Sequence, residues 1–286
     1  MPHEVLRLVF GDRPVTVAPL PGGLTNQNFR VDAGGETFVL RLAGEDTELL
    51  GIDRDREEAC SRLAAVADIG PEVIAFLPEH NALVTRFLPG KVLTEADATK
   101  PDVLRRIADA LRRCHAVAVA DRLGRFSVFD TVRSYVGLAG ERNVPLPDSL
   151  PGALERLRQI EEGTHSADPP CLCHNDLLAG NFIDDGKTIR LIDWEYAGRG
   201  DRFFDLGNLA ANLQLGPGEE ENLLEAYFGE ARPNDLRRLR LMRLASDMRE
   251  AAWGFLQAAI SKLHPPGYYL AYGQKHLDRF LAGSTP

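Results

Sequence analysis

The stretch CLCHNDLLAGNFIDDGKTIRLIDWEYAG, residues 171–198, differs in character from the segments on both sides of it. It lies between long segments with helical periodicity, yet it contains two short strand-like runs, NFID at residues 181–184 and TIRLID at residues 188–193. The Asp-Gly pair between those runs, Asp185-Gly186, is typical of a tight hairpin turn. The stretch therefore predicts a compact non-helical site inside a mainly helical region.

Two acids and one amide in this stretch are candidates for phosphoryl transfer. Asp176, Asn181 and Asp193 come at or near strand ends, where polar side chains converge easily. Phosphoryl transfer needs a carboxylate that receives the alcohol proton and oxygen ligands for Mg²⁺, which is shared with the substrate phosphates. Asp176 is the candidate base, and Asn181 and Asp193 are the candidate metal ligands.

The first part of the chain reads as strands and turns, because apolar and polar residues alternate between glycine- and proline-containing segments. The predicted strands are residues 16–20, 28–33, 37–42, 72–77 and 82–88. Gly34-Gly35 predicts a hairpin between the second and third of these strands. A helix is predicted over residues 53–67, where Ala59, Leu63 and Val66 recur at helical spacing.

After Pro89-Gly90, long helical patterns dominate. The predicted helices are residues 101–120, 150–162, 219–228 and 235–263. The sequence thus predicts an α+β protein with two lobes. A small β-rich lobe would span residues 1–88, and a larger, mainly helical lobe would span residues 89–286.

Composition excludes several classes of protein. The 286 residues are 44% hydrophobic, which is enough apolar material for a folded core. Lys and Arg total 33 against 42 Asp and Glu, a net charge of -9, so no sequence-wide basic field exists to bind nucleic acid or an anionic membrane. The chain contains neither an apolar run of membrane-spanning length nor the basic, apolar start of a secretory signal. We therefore expect a cytoplasmic protein without membrane insertion.

The four cysteines are too few for a disulfide framework in a chain of this length, and reduced thiols are expected. Cys171, Cys173 and His174 stand close enough in sequence to suggest a metal site. A structural zinc site, however, usually takes four ligands in two pairs, and no second Cys or His pair occurs elsewhere. The sequence therefore does not predict zinc.

Taken together, HNDLLAGN at residues 174–181 and IDWEYAG at residues 192–198 resemble the catalytic and metal-binding motifs of the choline/ethanolamine kinase branch of the aminoglycoside-phosphotransferase-like kinases. The resemblance covers nearly the whole chain, in the family's order. Its further blocks are PGGLTNQNFRV (21–31), FVLRL (38–42), IDRDRE (52–57), FFDLGN (203–208) and AAWGFLQAAIS (251–261).

The resemblance implies a bilobal protein-kinase-like fold and a kinase that uses ATP and Mg²⁺. The implied acceptor is a small molecule, the hydroxyl of choline, ethanolamine or a related amino alcohol. Two alternatives stay open: an aminoglycoside, sugar or thiamine kinase of the same fold, and a non-catalytic nucleotide-binding pseudokinase. A protein kinase is disfavoured, because no activation segment separates Asp193 from GRGDRFFDLGN. The sequence leaves the oligomeric state and the nucleotide preference open.

The resemblance also implies nucleotide-binding residues. Arg41 would hold the nucleotide phosphates, with Glu57 as its ionic partner, although the adjacent Glu58 leaves the register open. The alternative for this pair is an ordinary solvated ion pair. A phosphate-binding turn is implied at Gly22, Gly23, Leu24, Thr25 and Asn26, and its alternative is a plain hairpin turn. A hinge whose backbone would contact adenine is implied at Arg86, Phe87 and Leu88.

Around the metal motif, Glu195 resembles a further metal-binding carboxylate, with a surface glutamate as the alternative. Asp205 is expected to brace the catalytic loop through buried hydrogen bonds, with His174 in a supporting position. His115 lies on a helical apolar pattern and is predicted to be a packing histidine.

The C-terminal region supplies candidates for the acceptor site. Glu250, Trp253 and Gln257 fall on one helix face, and Tyr268 and Tyr272 follow on the next pattern. A cation over an aromatic ring gains about 0.5–2 kcal/mol, although an aromatic stripe at helical spacing is more often part of the core. Choline kinases typically carry a pair of tryptophans on this helix, and here Glu250 takes the place of the first. That departure leaves room for ethanolamine or a related amine.

Overall fold

A computed structural model of the chain describes residues 2–21, 26–44, 47–164 and 168–284. In this part of the chain, five strands form an antiparallel sheet in the order β1-β2-β3-β5-β4. The strands are β1 (Val15–Leu20), β2 (Asn26–Ala33), β3 (Glu36–Ala43), β4 (Val73–Leu77) and β5 (Ala82–Arg86). Gly34 and Gly35 both adopt positive φ, at 61° and 83°, as a tight hairpin turn requires. The predicted strands and hairpin are therefore confirmed.

Two helices accompany this sheet. The sequence did not predict α1 (Pro2–Phe10), which packs Val5, Leu6 and Phe10 into the apolar core of the sheet. The second, α2 (Arg54–Val66), confirms the helix predicted over residues 53–67. Asp53 caps α2, because its side chain accepts a hydrogen bond from the backbone N–H of Arg56 at 3.0 Å. The cap fixes the first turn of α2, which carries residues of the candidate site.

The rest of the chain is mainly helical and shares one large apolar core. Its helices are α3 (Glu95–Ala98), α4 (Pro101–His115), α5 (Val128–Glu141), α6 (Leu150–Gly163), α7 (Arg202–Asn212), α8 (Pro217–Phe228), α9 (Pro233–Ile260) and α10 (Pro266–Ala282). The long helix α9 packs against α5, α7 and α10. Four of these helices confirm the predicted ones, although α4 ends five residues before the predicted boundary. Among the described helices, none combines the length and the apolar character that a membrane span requires.

Short strands hold the polar stretch in place among the helices. They are β6 (Lys91–Val92), β7 (Cys171–Cys173), β8 (Phe182–Asp184), β9 (Ile189–Leu191) and β10 (Gly198–Gly200). The antiparallel pair β8–β9 confirms the predicted hairpin, and β7 pairs with β10. Two loops therefore meet: residues 174–181 between β7 and β8, and residues 192–197 between β9 and β10. These two loops carry Asp176, Asn181 and Asp193.

Candidate active site

The loop that carries Asp176 is held in place by hydrogen bonds to a residue of α7. Asp205 accepts hydrogen bonds from the backbone N–H groups of His174, at 2.9 Å, and Asn175, at 2.7 Å. Its Oδ2 atom also lies 2.9 Å from Nε2 of His115, whose Nδ1 atom lies 2.6 Å from the Tyr227 hydroxyl. Asp205 and His115 are buried. The bracing predicted for Asp205 is confirmed, and His115 belongs to the same hydrogen-bond network.

The side-chain amides of Asn208 and Asn212, both on α7, hold Leu177, the residue that follows Asp176 in the loop. Asn208 Oδ1 accepts from the backbone N–H of Leu177 at 2.6 Å, and Asn212 Nδ2 donates to the carbonyl oxygen of Leu177 at 3.1 Å. His174 supports the loop from the other side, since its Nε2 atom lies 2.9 Å from the carbonyl oxygen of Ile192. The backbone on both sides of Asp176 is therefore fixed before any substrate arrives.

The carboxylate of Asp176 is partly exposed and electrostatically unusual. Its side chain is 15% exposed, and burial raises its pKa to about 7. The positive charge of Arg249 opposes this shift in pKa, whereas the negative charge of Glu250 adds to it. A carboxylate with a pKa near neutrality, within reach of solvent, is suited to accept a proton from a bound alcohol.

Arg249, on α9, is a residue of this site that the sequence analysis missed. Its Nη1 atom lies 3.3 Å from Asp176 Oδ1 and 3.4 Å from Glu250 Oε1, and donates to the carbonyl oxygen of Asn175 at 3.0 Å. The guanidinium also lies 4.5 Å from the centroid of the Tyr196 ring. An arginine next to a glutamate on a long helix usually faces solvent, so the sequence carried no signal for its burial.

The three candidate metal-binding residues lie on adjoining loop segments, because the backbone N–H of Ile192 donates to the carbonyl oxygen of Asn181 at 2.9 Å. Asn181 Nδ2 donates to the carbonyl oxygen of Asp176 at 2.9 Å, which leaves the amide oxygen as its ligand atom. Asp193 adopts a positive φ of 65°, an uncommon conformation for a non-glycine residue, and such residues cluster at functional sites. Burial raises the pKa of Glu195, and the negative charge of Asp193 adds to that shift. This all-oxygen donor set with adjacent carboxylates fits Mg²⁺.

Arg41, on β3, links the five-stranded sheet to Asp193. It forms an ion pair with Glu57, and its Nη1 atom lies 3.0 Å from Asp193 Oδ1. The side chain of Glu57 is 2% exposed, whereas Glu58 pairs with Arg62 at the surface. The register that the sequence left open is therefore resolved in favour of Glu57.

Arg54, on the first turn of α2, is a second residue that the sequence analysis missed. Its Nη1 atom lies 2.7 Å from Glu57 Oε2 and 3.4 Å from Glu195 Oε2. Asn26 joins the same network, because its amide nitrogen donates to Glu195 Oε2 at 2.9 Å. Glu195 is thus buried among polar partners and is not a surface glutamate.

The structure describes only some of the other candidate nucleotide-binding residues. Gly22, Gly23, Leu24 and Thr25 lie outside the described residues, so the role predicted for this turn stays a prediction. The guanidinium of Arg86 lies 2.7 Å from both Glu36 and Glu72, in exposed ion pairs of the sheet. The backbone N–H of Phe87 donates to the carbonyl oxygen of Thr37 at 3.0 Å, and Leu88 follows on the connection to β6.

Three of the five acceptor-site candidates come together beside Arg249. Glu250 Oε2 accepts a hydrogen bond from the Tyr272 hydroxyl at 2.6 Å. The Trp253 ring packs edge-on against Tyr272, with 5.5 Å between ring centroids. Gln257 is buried further along α9. Tyr268 is 51% exposed and lies 4.3 Å from the ring of His264, outside this cluster.

Known proteins resemble this chain in sequence and in fold. The family model described as a phosphotransferase enzyme family matches residues 16–242. The chain is 26% identical to a probable choline kinase of Arabidopsis thaliana, over 92% of this chain and 85% of that protein. It is 27% identical to a probable ethanolamine kinase of Dictyostelium discoideum, over 94% and 85%. A choline/ethanolamine kinase family protein from Mesorhizobium loti superposes with a TM-score of 0.81 and 27% identity, covering 99% of this chain and 95% of that one.

Proposed function

This chain belongs to the phosphotransferase enzyme family, and on that premise we propose that it transfers the γ-phosphate of ATP to the hydroxyl of choline, ethanolamine or a related amino alcohol. One observation carries the proposal. A single nitrogen of Arg249 lies 3.3 Å from Asp176 Oδ1 and 3.4 Å from Glu250 Oε1. A proton-accepting carboxylate and a carboxylate that suits an ammonium group therefore flank the same guanidinium.

Asp176 would act on the acceptor hydroxyl. As the hydroxyl oxygen bonds to the γ-phosphorus, the bond from that phosphorus to the bridging oxygen breaks and ADP leaves. The hydroxyl proton passes to Asp176, whose pKa of about 7 lies near the operating pH of a cytoplasmic enzyme. The bracing by Asp205 and Arg249 supports this role, because a base must be held in position to be effective.

The nucleotide would lie between the sheet and the two polar loops. Asn181, Asp193 and Glu195 are the residues that would hold Mg²⁺, which when bound neutralises charge on the phosphates. Arg41 would contribute a permanent positive charge to the phosphates from the opposite side. Its contacts with Glu57 and Asp193 support that role, since they keep the guanidinium extended toward the loops.

The acceptor would lie between Asp176 and the cluster of Glu250, Trp253 and Tyr272. Glu250 offers a carboxylate to the ammonium group, and the two aromatic rings offer apolar and cation–π contacts. Because Asp176 and Glu250 contact the same nitrogen, this site suits an acceptor whose hydroxyl and ammonium groups are only a few atoms apart. A two-carbon amino alcohol has that spacing.

The experiment is phosphoester formation measured by mass spectrometry with Mg²⁺ and ATP. The acceptor panel contains choline, ethanolamine and related amino alcohols, with an aminoglycoside, a sugar and thiamine for comparison. We expect phosphorylation of an amino alcohol by the wild type and a loss of about 10²-fold or more in Asp176→Asn. Equal rates in the two proteins would remove Asp176 from its role. Activity confined to the comparison compounds would overturn the proposed acceptor class.

A further inference from the structure

Strand β7 brings two thiols together next to a histidine. Cys171 and Cys173 lie on the same face of the strand, with 3.7 Å between their sulfur atoms. His115, from the end of α4, offers a ring nitrogen, and one ligand atom of each residue lies within 4.8 Å of the others. His174, which the sequence placed beside this pair, instead faces the carbonyl oxygen of Ile192. The histidine of the cluster is therefore distant in sequence.

The spacing of this cluster fits a thiophilic metal ion. Two thiolates that bind one tetrahedral Zn²⁺ at about 2.3 Å lie about 3.8 Å apart, close to the sulfur–sulfur distance seen here. Two cysteines and one histidine, with an open fourth position, are a known set of zinc ligands. This donor set differs from the all-oxygen set at Asn181 and Asp193, so the two sites would select different ions.

The surroundings of the cluster support a bound ion. Asp205 lies 2.9 Å from His115 Nε2, an arrangement that fixes the ring of metal-binding histidines. The other ring nitrogen, Nδ1, would exchange its 2.6 Å contact with the Tyr227 hydroxyl for the ion.

The strand opposite the thiols leaves space beside them. Gly200 pairs with Cys171 and Gly198 with Cys173, so neither cross-strand partner places a side chain over the sulfur atoms. A Cβ atom on Gly200 would lie 3.4 Å from the sulfur of Cys173. A cavity of about 190 Å³ is bordered by Pro170, Gly200 and Arg202, and Gly200 is the cross-strand partner of Cys171.

We propose that Cys171, Cys173 and His115 bind one thiophilic divalent ion such as Zn²⁺ or Cd²⁺, and that its binding slows phosphotransfer. Binding would release the two thiol protons to solvent. Closing the three ligands around an ion would draw β7 toward α4. Cys173 directly precedes His174, and His115 shares Asp205 with the loop that carries Asp176. The effect on the rate rests on the proposed function, whereas the binding does not.

Binding is tested with Cd²⁺ alone, titrated into the full chain, by the ultraviolet absorption of cadmium–thiolate bonds. We expect one equivalent per chain in the wild type and loss of the band in Cys171→Ser and Cys173→Ser. Cys60→Ser is the matched control, because Cys60 is a buried thiol of α2 far along the chain from this cluster, and it should bind like the wild type. A band that persists in Cys171→Ser would overturn the site.

A measurement on the wild type covers the case in which a serine variant does not fold. The ¹¹³Cd NMR shift of the loaded protein should report two sulfur ligands and one nitrogen ligand, and an all-oxygen shift would contradict the assignment. The rate is tested by preincubation with Zn²⁺ followed by a chelator, with inhibition expected in the wild type but not in Cys171→Ser. Stoichiometric binding with an unchanged rate would overturn the coupling to the catalytic loop.

Discussion

Nη1 of Arg249 lies 3.3 Å from Oδ1 of Asp176, and the same nitrogen donates to the carbonyl oxygen of Asn175 at 3.0 Å. The Arg249 side chain is 2% exposed, so these contacts form where water competes little. One guanidinium thus fixes both the carboxylate and the backbone of the loop. Because Glu250 follows on the same helix, α9 couples the orientation of the base to the acceptor site.

Arg249→Lys keeps the charge but loses the planar fork that reaches the carboxylate and the backbone together. We expect kcat to fall about tenfold or more, with the KM for ATP nearly unchanged, since Arg41 and the metal-binding residues stay in place. Steady-state kinetics with ATP and acceptor varied separately measure this split. Arg243→Lys is the control, because Arg243 also lies on α9 but pairs with Glu220. Wild-type kcat in Arg249→Lys would contradict the positioning role.

The Arg41–Glu57 pair leads to a second prediction. Glu57→Gln removes the carboxylate that Arg41 and Arg54 share, and leaves Arg41 with Asp193 as its remaining charged partner. We expect the KM for ATP to rise about tenfold, because Arg41 would no longer be held toward the phosphates.

The adjacent glutamate supplies the control for that variant. Glu58→Gln removes only a surface pair with Arg62, and exposed pairs contribute about 0–1 kcal/mol. Initial rates over a range of ATP concentrations should therefore match the wild type in Glu58→Gln. An equal rise of the KM for ATP in both variants would show that the pairing of Arg41 with Glu57, and not with Glu58, does not matter for ATP binding.

Asp193 and Glu195 are expected to differ in their effect on the metal requirement. Asp193 reaches solvent and contacts Arg41, whereas Glu195 is buried and hydrogen-bonded to Asn26. We expect Asp193→Asn to raise the Mg²⁺ concentration for half-maximal rate by about tenfold or more, and Glu195→Gln to raise it less. Titration of Mg²⁺ at fixed ATP measures both. A larger effect in Glu195→Gln would mean that Glu195, and not Asp193, is the more important ligand of Mg²⁺.

The sequence predicted those parts of the fold that rest on local patterns. The hairpin at Gly34-Gly35 is set by turn chemistry, and the helix over residues 53–67 by its apolar spacing, and both are confirmed. The sequence analysis missed α5 (Val128–Glu141), whose valines and glycines are weak helix formers. That helix is stabilised by the burial of Phe129, Val132 and Tyr135 in the large core, which no local pattern reports.

The residues of the candidate site likewise include some that a local sequence pattern predicts and some that it does not. Asp176, Asn181 and Asp193 stand in a recognisable order along one stretch of chain. Arg54 and Arg249 were missed, because each is a charged residue buried by partners far along the chain. Burial of such residues depends on tertiary pairing and leaves no periodic signal in the sequence.

The raised pKa of Asp176 makes stability depend on pH. Its ordinary value is 3.8 and its value in the folded protein is about 7. Between these values the folded protein keeps a proton that the unfolded chain has released, so the free energy of unfolding falls as the pH rises from about 4 to about 7. Well above pH 7 the penalty of holding this charge is complete, on the order of 4 kcal/mol from the conversion of pKa units into free energy.

Asp176→Asn removes that penalty and keeps the side-chain oxygen that faces Arg249. In the absence of nucleotide and metal, we therefore expect the variant to be more stable than the wild type at pH 8, and the two to converge near pH 4. Urea unfolding at several pH values measures the difference. Asp185→Asn is the contrasting variant, because backbone hydrogen bonds lower the pKa of this turn residue, so its loss should destabilise the protein at neutral pH. A constant difference between Asp176→Asn and the wild type across this pH range would mean that Asp176 titrates normally in the folded protein.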